Sequence, residues 1–109
     1  MDFKKLNLIP EIMKAVTATG YTRATEIQYQ SIPHILNGED VIGCAQTGTG
    51  KTASFAIPVL QLLSENTNNN KGIRTLILTP TRELAVQIND NFKTLSSTFP
   101  ITIRSYLFL

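Results

Sequence analysis

Apolar and polar positions along this chain follow two different rhythms. After "NLIP", Ile12, Ala15 and Val16 recur at helical spacing, the signature of one buried face on a 3.6-residue repeat. Pro10 suits the first turn of that helix and Gly20 the position just past its end. "ATEIQYQSIPHILNGED" predicts a second helical stretch, with Thr25 as N-cap, Gly38 as stop, and Pro33 breaking or restarting it. From residue 40 the rhythm changes. "DVIGCA" is a short apolar run and reads as a buried strand, with Cys44 as a small core residue at its end. "KTASFAIPVLQLLSE" reads as a mostly apolar helix bent at Pro58, and the cluster around Asn66 to Asn70 as an exposed loop.

"RTLILT" predicts a second strand, flanked by Lys71 and Arg74 as solvated charges. "TRELAVQINDNFKTLSS" predicts a helix with Leu84, Ile88, Phe92 and Leu95 on one face. "ITIRSYLFL" alternates, with Ile101, Ile103, Leu107 and Leu109 on one side and Tyr106 and Phe108 on the other, which predicts burial on both faces. The order β-α-β-α-β over residues 40–109 predicts an α/β fold with parallel strands and flanking helices, preceded by a helical region over residues 1–39.

Length and charge narrow this picture. A chain of 109 residues makes one small domain. Its formal charge of +2 is too small to argue for nucleic acid by itself. The one cysteine excludes an internal disulfide and suits a reducing compartment. There is no signal-peptide pattern, and no apolar run nears the roughly 18 residues of a membrane span. The expected location is cytoplasmic, with no membrane partner. His34 has no second ligand nearby, so a surface or packing role is expected of it, not metal binding.

"AQTGTGKT" stands between a predicted strand and a predicted helix, the context that a P-loop requires. Gly48 and Gly50 let backbone N–H groups converge, and the following helix N-terminus favours anionic oxygens. Lys51 can reach the β- and γ-phosphates, and Thr52 can place its hydroxyl on Mg²⁺. Ala45 occupies the first glycine position of the strict G-x-x-x-x-G-K-[ST] pattern. On this chemistry alone, the stretch is a nucleoside triphosphate site.

"GYTRATEIQ", "AQTGTGKT" and "PTRELA", in that order, resemble the opening of a DEAD-box ATP-dependent RNA helicase of superfamily 2, a likeness that runs from Phe3 to Gln87. The resemblance implies an incomplete RecA-like P-loop domain that uses ATP and Mg²⁺. It implies that Gln28 pairs with adenine, whose N6–H₂ and N7 match the donor and acceptor of a planar amide. Tyr21 would pack against the base, with Phe3 as the family's isolated upstream aromatic and Arg23 nearby. Gln46, Thr47, Gly48, Thr49, Gly50, Lys51, Thr52 and Ala53 would hold the phosphates, Lys51 and Thr52 being the catalytic pair and Thr52 the Mg²⁺ ligand. Pro80, Thr81 and Arg82 would hold the RNA sugar-phosphate backbone, contacts that carry no base sequence information. Ala24 stands where the family pattern has proline.

Blander readings exist for two of these segments. Thr25-x-x-Gln28 is also a capping box, in which the glutamine folds back on the Thr25 N–H. "PTRELA" is also an N-capped helix with a solvated arginine, and Glu83 could pair with Arg82 or balance the helix dipole. An unrelated P-loop ATPase would bind nucleotide without regard to the base.

Hydrolysis needs a carboxylate for Mg²⁺ and a group that orients water. The family takes both from an Asp-Glu-Ala-Asp run after a strand, and this sequence has none. Glu39 and Asp40 precede a strand, and Asp90 falls inside a helix. The expectation is therefore the opening part of a longer enzyme, inactive alone and completed by the missing remainder of the same protein. A non-catalytic module that binds adenine nucleotide or RNA is the alternative. Strands without their neighbours would leave apolar edges exposed, so poor folding in isolation is also expected.

Overall fold

The computed structural model describes residues 1–46, 48–66, 72–97 and 105–108. Within them the chain forms a short 3-10 turn, Phe3–Leu6, and four α-helices: α1 Pro10–Ala18, α2 Glu26–Leu36, α3 Lys51–Glu65 and α4 Arg82–Ser96. α1 opens on Pro10, whose missing N–H is one the first turn could not have bonded anyway. It closes with Gly20 in the left-handed region (φ 87°). There the Gly20 N–H bonds Thr17 O at 3.0 Å and the Tyr21 N–H bonds Val16 O at 3.2 Å, the paired ending that satisfies orphaned carbonyls. α2 ends the same way, with the Gly38 and Glu39 N–H groups on Ile35 O and His34 O.

Pro33 neither breaks nor restarts α2, which runs through it. The proline sits in the last turn, so one intrahelical bond is lost, and the Asn37 N–H still reaches Pro33 O at 3.1 Å. α3 likewise continues through the buried Pro58.

α2 packs along α3, and α4 and α1 lie against α3 as well. Ile32, Ala56, Ile57 and Leu60 are wholly buried at the centre. Each such branched side chain contributes about 1.5–3 kcal/mol by leaving water. α4 turns Ile88, Phe92 and Leu95 inward, as its spacing predicts, with Leu84 half-buried and the Phe55 and Phe92 rings 6.3 Å apart. The N-terminal stretch is fixed at both ends. The Ala24 N–H donates to Met1 O at 2.7 Å, beside an antiparallel bridge between Asp2 and Arg23. At the other end the Ile9 N–H donates to Gln61 Oε1 on α3 at 3.1 Å. A proline at position 24 would have no N–H for the first of these bonds.

Among the described residues, the three expected strands do not form a sheet. Residues 40–45, 74–79 and 105–108 carry no ladder. Ile42, Leu78 and Phe108 are 97%, 85% and 83% exposed. The reason lies in where backbone bonds come from: a helix satisfies its own N–H and C=O groups, whereas a strand needs a neighbour. Residues 101–104 and 109 of the last expected strand lie outside the described residues, as do Lys71 and most of the asparagine cluster.

Several local expectations change with the sheet. Cys44 is exposed, because the layer that would cover it is not formed. Tyr106 and Phe108 are exposed for the same reason. Arg74 is not simply solvated: its guanidinium donates to Leu63 O at 3.3 Å and to Asn66 O, placing a cation on the negative end of α3.

Candidate functional site

α3 begins at Lys51 with Gly50 as its N-cap, in the left-handed region at φ 78° and with no side-chain cap. The first helical bond runs from the Ser54 N–H to Gly50 O at 3.2 Å. The N–H groups of Thr52 and Ala53 have no acceptor among the described residues. Orphaned donors at the positive end of a 15-residue helix make an anion site. Lys51 is exposed and makes no ion pair among the described residues. Thr52 is half-buried beside it and Ala53 buried behind. Upstream, the Thr49 hydroxyl donates to Gln46 O; Thr47 lies outside the described residues. The donor set fits a chain of phosphates: unpaired N–H groups, an adjacent ammonium and a hydroxyl.

Gln28 is 2% exposed, and both ends of its amide are engaged. Its Oε1 accepts the Thr25 N–H at 2.9 Å, and its Nε2 donates to Gly50 O at 3.1 Å. Half of the capping box is therefore made. The other half is looser: the buried Thr25 hydroxyl faces the Gln28 N–H without making a full hydrogen bond. The Gln28 amide is the physical link between the "TEIQ" segment and the phosphate loop. Gly50 is needed for this twice over. Beyond its positive φ, a Cβ there would fall well inside contact with Gln28 Nε2 and 3.2 Å from its Cδ.

Tyr21 stands at the surface, 36% exposed, and Phe3 lies behind it at 1%, with ring centroids 6.2 Å apart. Phe3 thus backs Tyr21 and presents little face of its own. Arg23 is exposed, and its backbone bridges Asp2.

"PTRELA" opens α4. Thr81 is the N-cap, and its Oγ1 accepts the Leu84 N–H at 3.2 Å. Thr79 Oγ1 donates to Thr81 O at 2.9 Å and fixes the bend at Pro80. The Thr81 hydroxyl accepts at the cap and keeps its own O–H to donate, beside the exposed Arg82; no Arg82–Glu83 ion pair forms among the described residues. His34, also exposed, places Nδ1 2.9 Å from the Glu39 carboxylate. That bond, with a second from Asn37, holds the Glu39 carboxyl below its ordinary value. No metal-binding cluster of His, Cys, Asp or Glu exists among the described residues.

Two shallow grooves, of about 230 and 190 Å³, lie elsewhere: one under Arg74 against α3, the other between Tyr21 and α4. Neither is lined by Lys51 or Gln28. Shape alone does not mark the loop; its donors do. Reading the sequence did not single out Gln61, a buried polar side chain on an apolar helix. Its signal was a glutamine at a position where the helix period calls for a core residue.

Residues 25–107 match the family model described as DEAD/DEAH box helicase. The chain is 53% identical over 95 residues to the ATP-dependent rRNA helicase RRP3 of Meyerozyma guilliermondii, covering 87% of this chain and 19% of that protein. It is 50% identical over 100 residues to its Aspergillus fumigatus counterpart, covering 92% and 21%. Among solved structures it resembles the RNA helicase Prp28 from Chaetomium thermophilum bound to ADP, with a TM-score of 0.85 and 38% identity over 97% of this chain and 26% of that one. A DEAD box protein from the hyperthermophile Methanococcus jannaschii gives a TM-score of 0.77 and 47% identity, over 87% and 25%. The chain spans about a fifth of the length of the curated relatives it matches.

Proposed function

The chain belongs to the DEAD/DEAH box helicase family, and on that premise we propose that it is the N-terminal part of an ATP-dependent RNA helicase. On this reading the domain is RecA-like, and the apolar runs 40–45 and 74–79 take up parallel sheet positions once neighbouring strands are supplied. The unit is a partial ATP-binding domain: residues 1–39 recognise the base, and residues 40–109 begin the phosphate-binding core.

ATP and Mg²⁺ supply the phosphoanhydride and its counter-charge. The chain's own residues bind and orient them. The orphaned N–H groups of Thr52 and Ala53 donate to phosphate oxygens, and Gln46, Thr47, Gly48, Thr49 and Gly50 belong to the same cradle. Lys51 neutralises charge at the distal phosphates, and the Thr52 hydroxyl would serve as a ligand to Mg²⁺. Gln28 reads the adenine edge, with Tyr21 packing on the base, Phe3 supporting it and Arg23 at the rim. Pro80, Thr81 and Arg82 hold RNA by its sugar-phosphate backbone, Arg82 through charge and α4 through its N-terminal dipole. In the longer protein this binding serves the separation of short duplexes. Since the sequence carries no Asp-Glu-Ala-Asp run, this chain alone binds and does not hydrolyse.

One observation supports this reading above the others: the Gln28 amide is seated on the phosphate loop itself, through Gly50 O. A glutamine that served only as a helix cap would have no reason to lie there. The decisive experiment measures ATP and GTP binding to the wild-type chain and to Gln28→Ala. We expect a preference for ATP that the substitution removes, by about tenfold, as for the loss of a bidentate base contact. Equal binding of the two nucleotides by wild type, or a preference that survives Gln28→Ala, refutes the adenine role. The second result would favour a base-blind P-loop ATPase.

A further inference from the structure

Gln61 is a buried polar side chain on α3 whose work the nucleotide site does not explain, and one whose bond reaches outside its own helix. It is 5% exposed, next to the wholly buried Leu60. An amide in such surroundings is costly unless it is bonded. Its Oε1 accepts the Ile9 N–H at 3.1 Å, across 52 residues of sequence.

Ile9 closes the N-terminal stretch, whose other end is pinned by the Ala24 N–H on Met1 O. Between the two anchors lies Phe3, buried at 1% and backing Tyr21. Leu6 and Leu8 are buried in the same stretch, but apolar contact has no preferred direction. A hydrogen bond does, and it fixes register. α3 therefore carries both fixtures of the site. Its first turn offers the phosphate donors, and Gln61, further along, holds the segment on which the aromatic pair is mounted.

We propose that Gln61 is a positioning residue for base selection: by bonding Ile9 it sets the distance from the Phe3–Tyr21 pair to the first turn of α3, and hence from base to phosphates. Ten residues of helix, about 15 Å, separate it from Lys51, so it acts through the N-terminal stretch and never touches nucleotide. The inference rests on the nucleotide reading above.

The test uses Gln61→Met, of similar length with no amide acceptor, and Gln61→Glu, which keeps an oxygen at the same reach. Binding of ATP, GTP and inorganic tripolyphosphate, each with Mg²⁺, is measured by calorimetry on the 109-residue chain. In Gln61→Met, ATP affinity falls about five- to tenfold, the factor that one lost hydrogen bond gives. The ATP/GTP ratio shrinks alongside, tripolyphosphate affinity stays unchanged, and Gln61→Glu restores the ratio. An unchanged ATP/GTP ratio in Gln61→Met overturns the proposal and leaves the nucleotide reading standing. A parallel fall in tripolyphosphate affinity also overturns it, because the damage would then be to α3 as a whole. Should Gln61→Met lose its helical circular dichroism, Gln61→Glu decides: a folded Gln61→Glu chain with a lost ratio sinks the idea. Failure of the wild type to prefer ATP over GTP would instead remove the reading beneath it.

Discussion

Gly50→Ala tests how tightly the phosphate loop and Gln28 are joined. Two costs follow from the geometry. Residue 50 has φ 78°, and a left-handed conformation costs a residue with Cβ about 1–2 kcal/mol. The new methyl also falls within contact of Gln28 Nε2, 3.2 Å from its Cδ and 3.7 Å from Thr25 Oγ1. Gln28 must turn away, losing its bonds to Gly50 O and the Thr25 N–H. At about 0.5–1.5 kcal/mol per bond, the total is about 2–5 kcal/mol. The Thr25 amide reports the second cost alone, because its acceptor is Gln28 Oε1. Hydrogen exchange at Thr25, followed by NMR in wild type, Gly50→Ala, Gln28→Ala and the double variant, separates the two. Each single change should speed exchange about fivefold, the factor for about 1 kcal/mol of local protection. The double variant should exchange no faster than Gln28→Ala, since both act through one bond. If the accelerations multiply, or Gly50→Ala leaves Thr25 protected, the two residues are not coupled as described.

Three further outcomes are expected. Arg82→Ala lowers RNA affinity by a similar factor for every sequence and makes the salt slope shallower by about one unit; a loss that depends on base sequence would count against backbone holding. Glu39 titrates below its ordinary carboxyl value, chiefly because His34 bonds its carboxylate; its depressed folded-state pKa means the bond contributes at neutral pH and is lost as pH falls through that pKa. His34→Ala therefore moves the Glu39 midpoint, read by NMR, upward toward the ordinary value, and an unmoved midpoint denies the bond its role. The exposed Ile42, Leu76 and Leu78 predict binding of an apolar dye and concentration-dependent association of the isolated chain; sharp two-state unfolding of a dye-silent monomer would contradict this.

The helices were legible because each carries its own instructions. Thr25, Gly38 and Thr81 bracket their helices where capping chemistry places them, and the Ile88–Phe92–Leu95 stripe is buried as its period requires. Pro33 misled because its cost depends on distance from the helix end, which the rhythm alone did not give. The apolar runs 40–45 and 74–79 carry a strand's composition, but pairing is a property of two segments, and one segment's sequence cannot supply its neighbour. The site was legible at its phosphate loop, where glycine, lysine and threonine follow chemistry at fixed spacing. It was half legible at Gln28: cap and base reader were weighed as rivals, while the side chain caps Thr25 with one atom and touches the loop with another. Gln61 was invisible because its partner is a main-chain N–H distant in sequence.

On the proposed adenine role, the engaged state of Gln28 also sets how a base is admitted. Its amide does not wait in water; it competes on behalf of the protein's own main chain. Any newcomer that recruits it must outbid Thr25 and Gly50, and apparent affinity is scaled by the fraction of molecules in which the amide has swung free. A guanine, which offers an acceptor where adenine offers a donor, matches only the N–H₂ side of that amide. Discrimination then comes from the fit in the open population, while the closed one lowers affinity for every base alike.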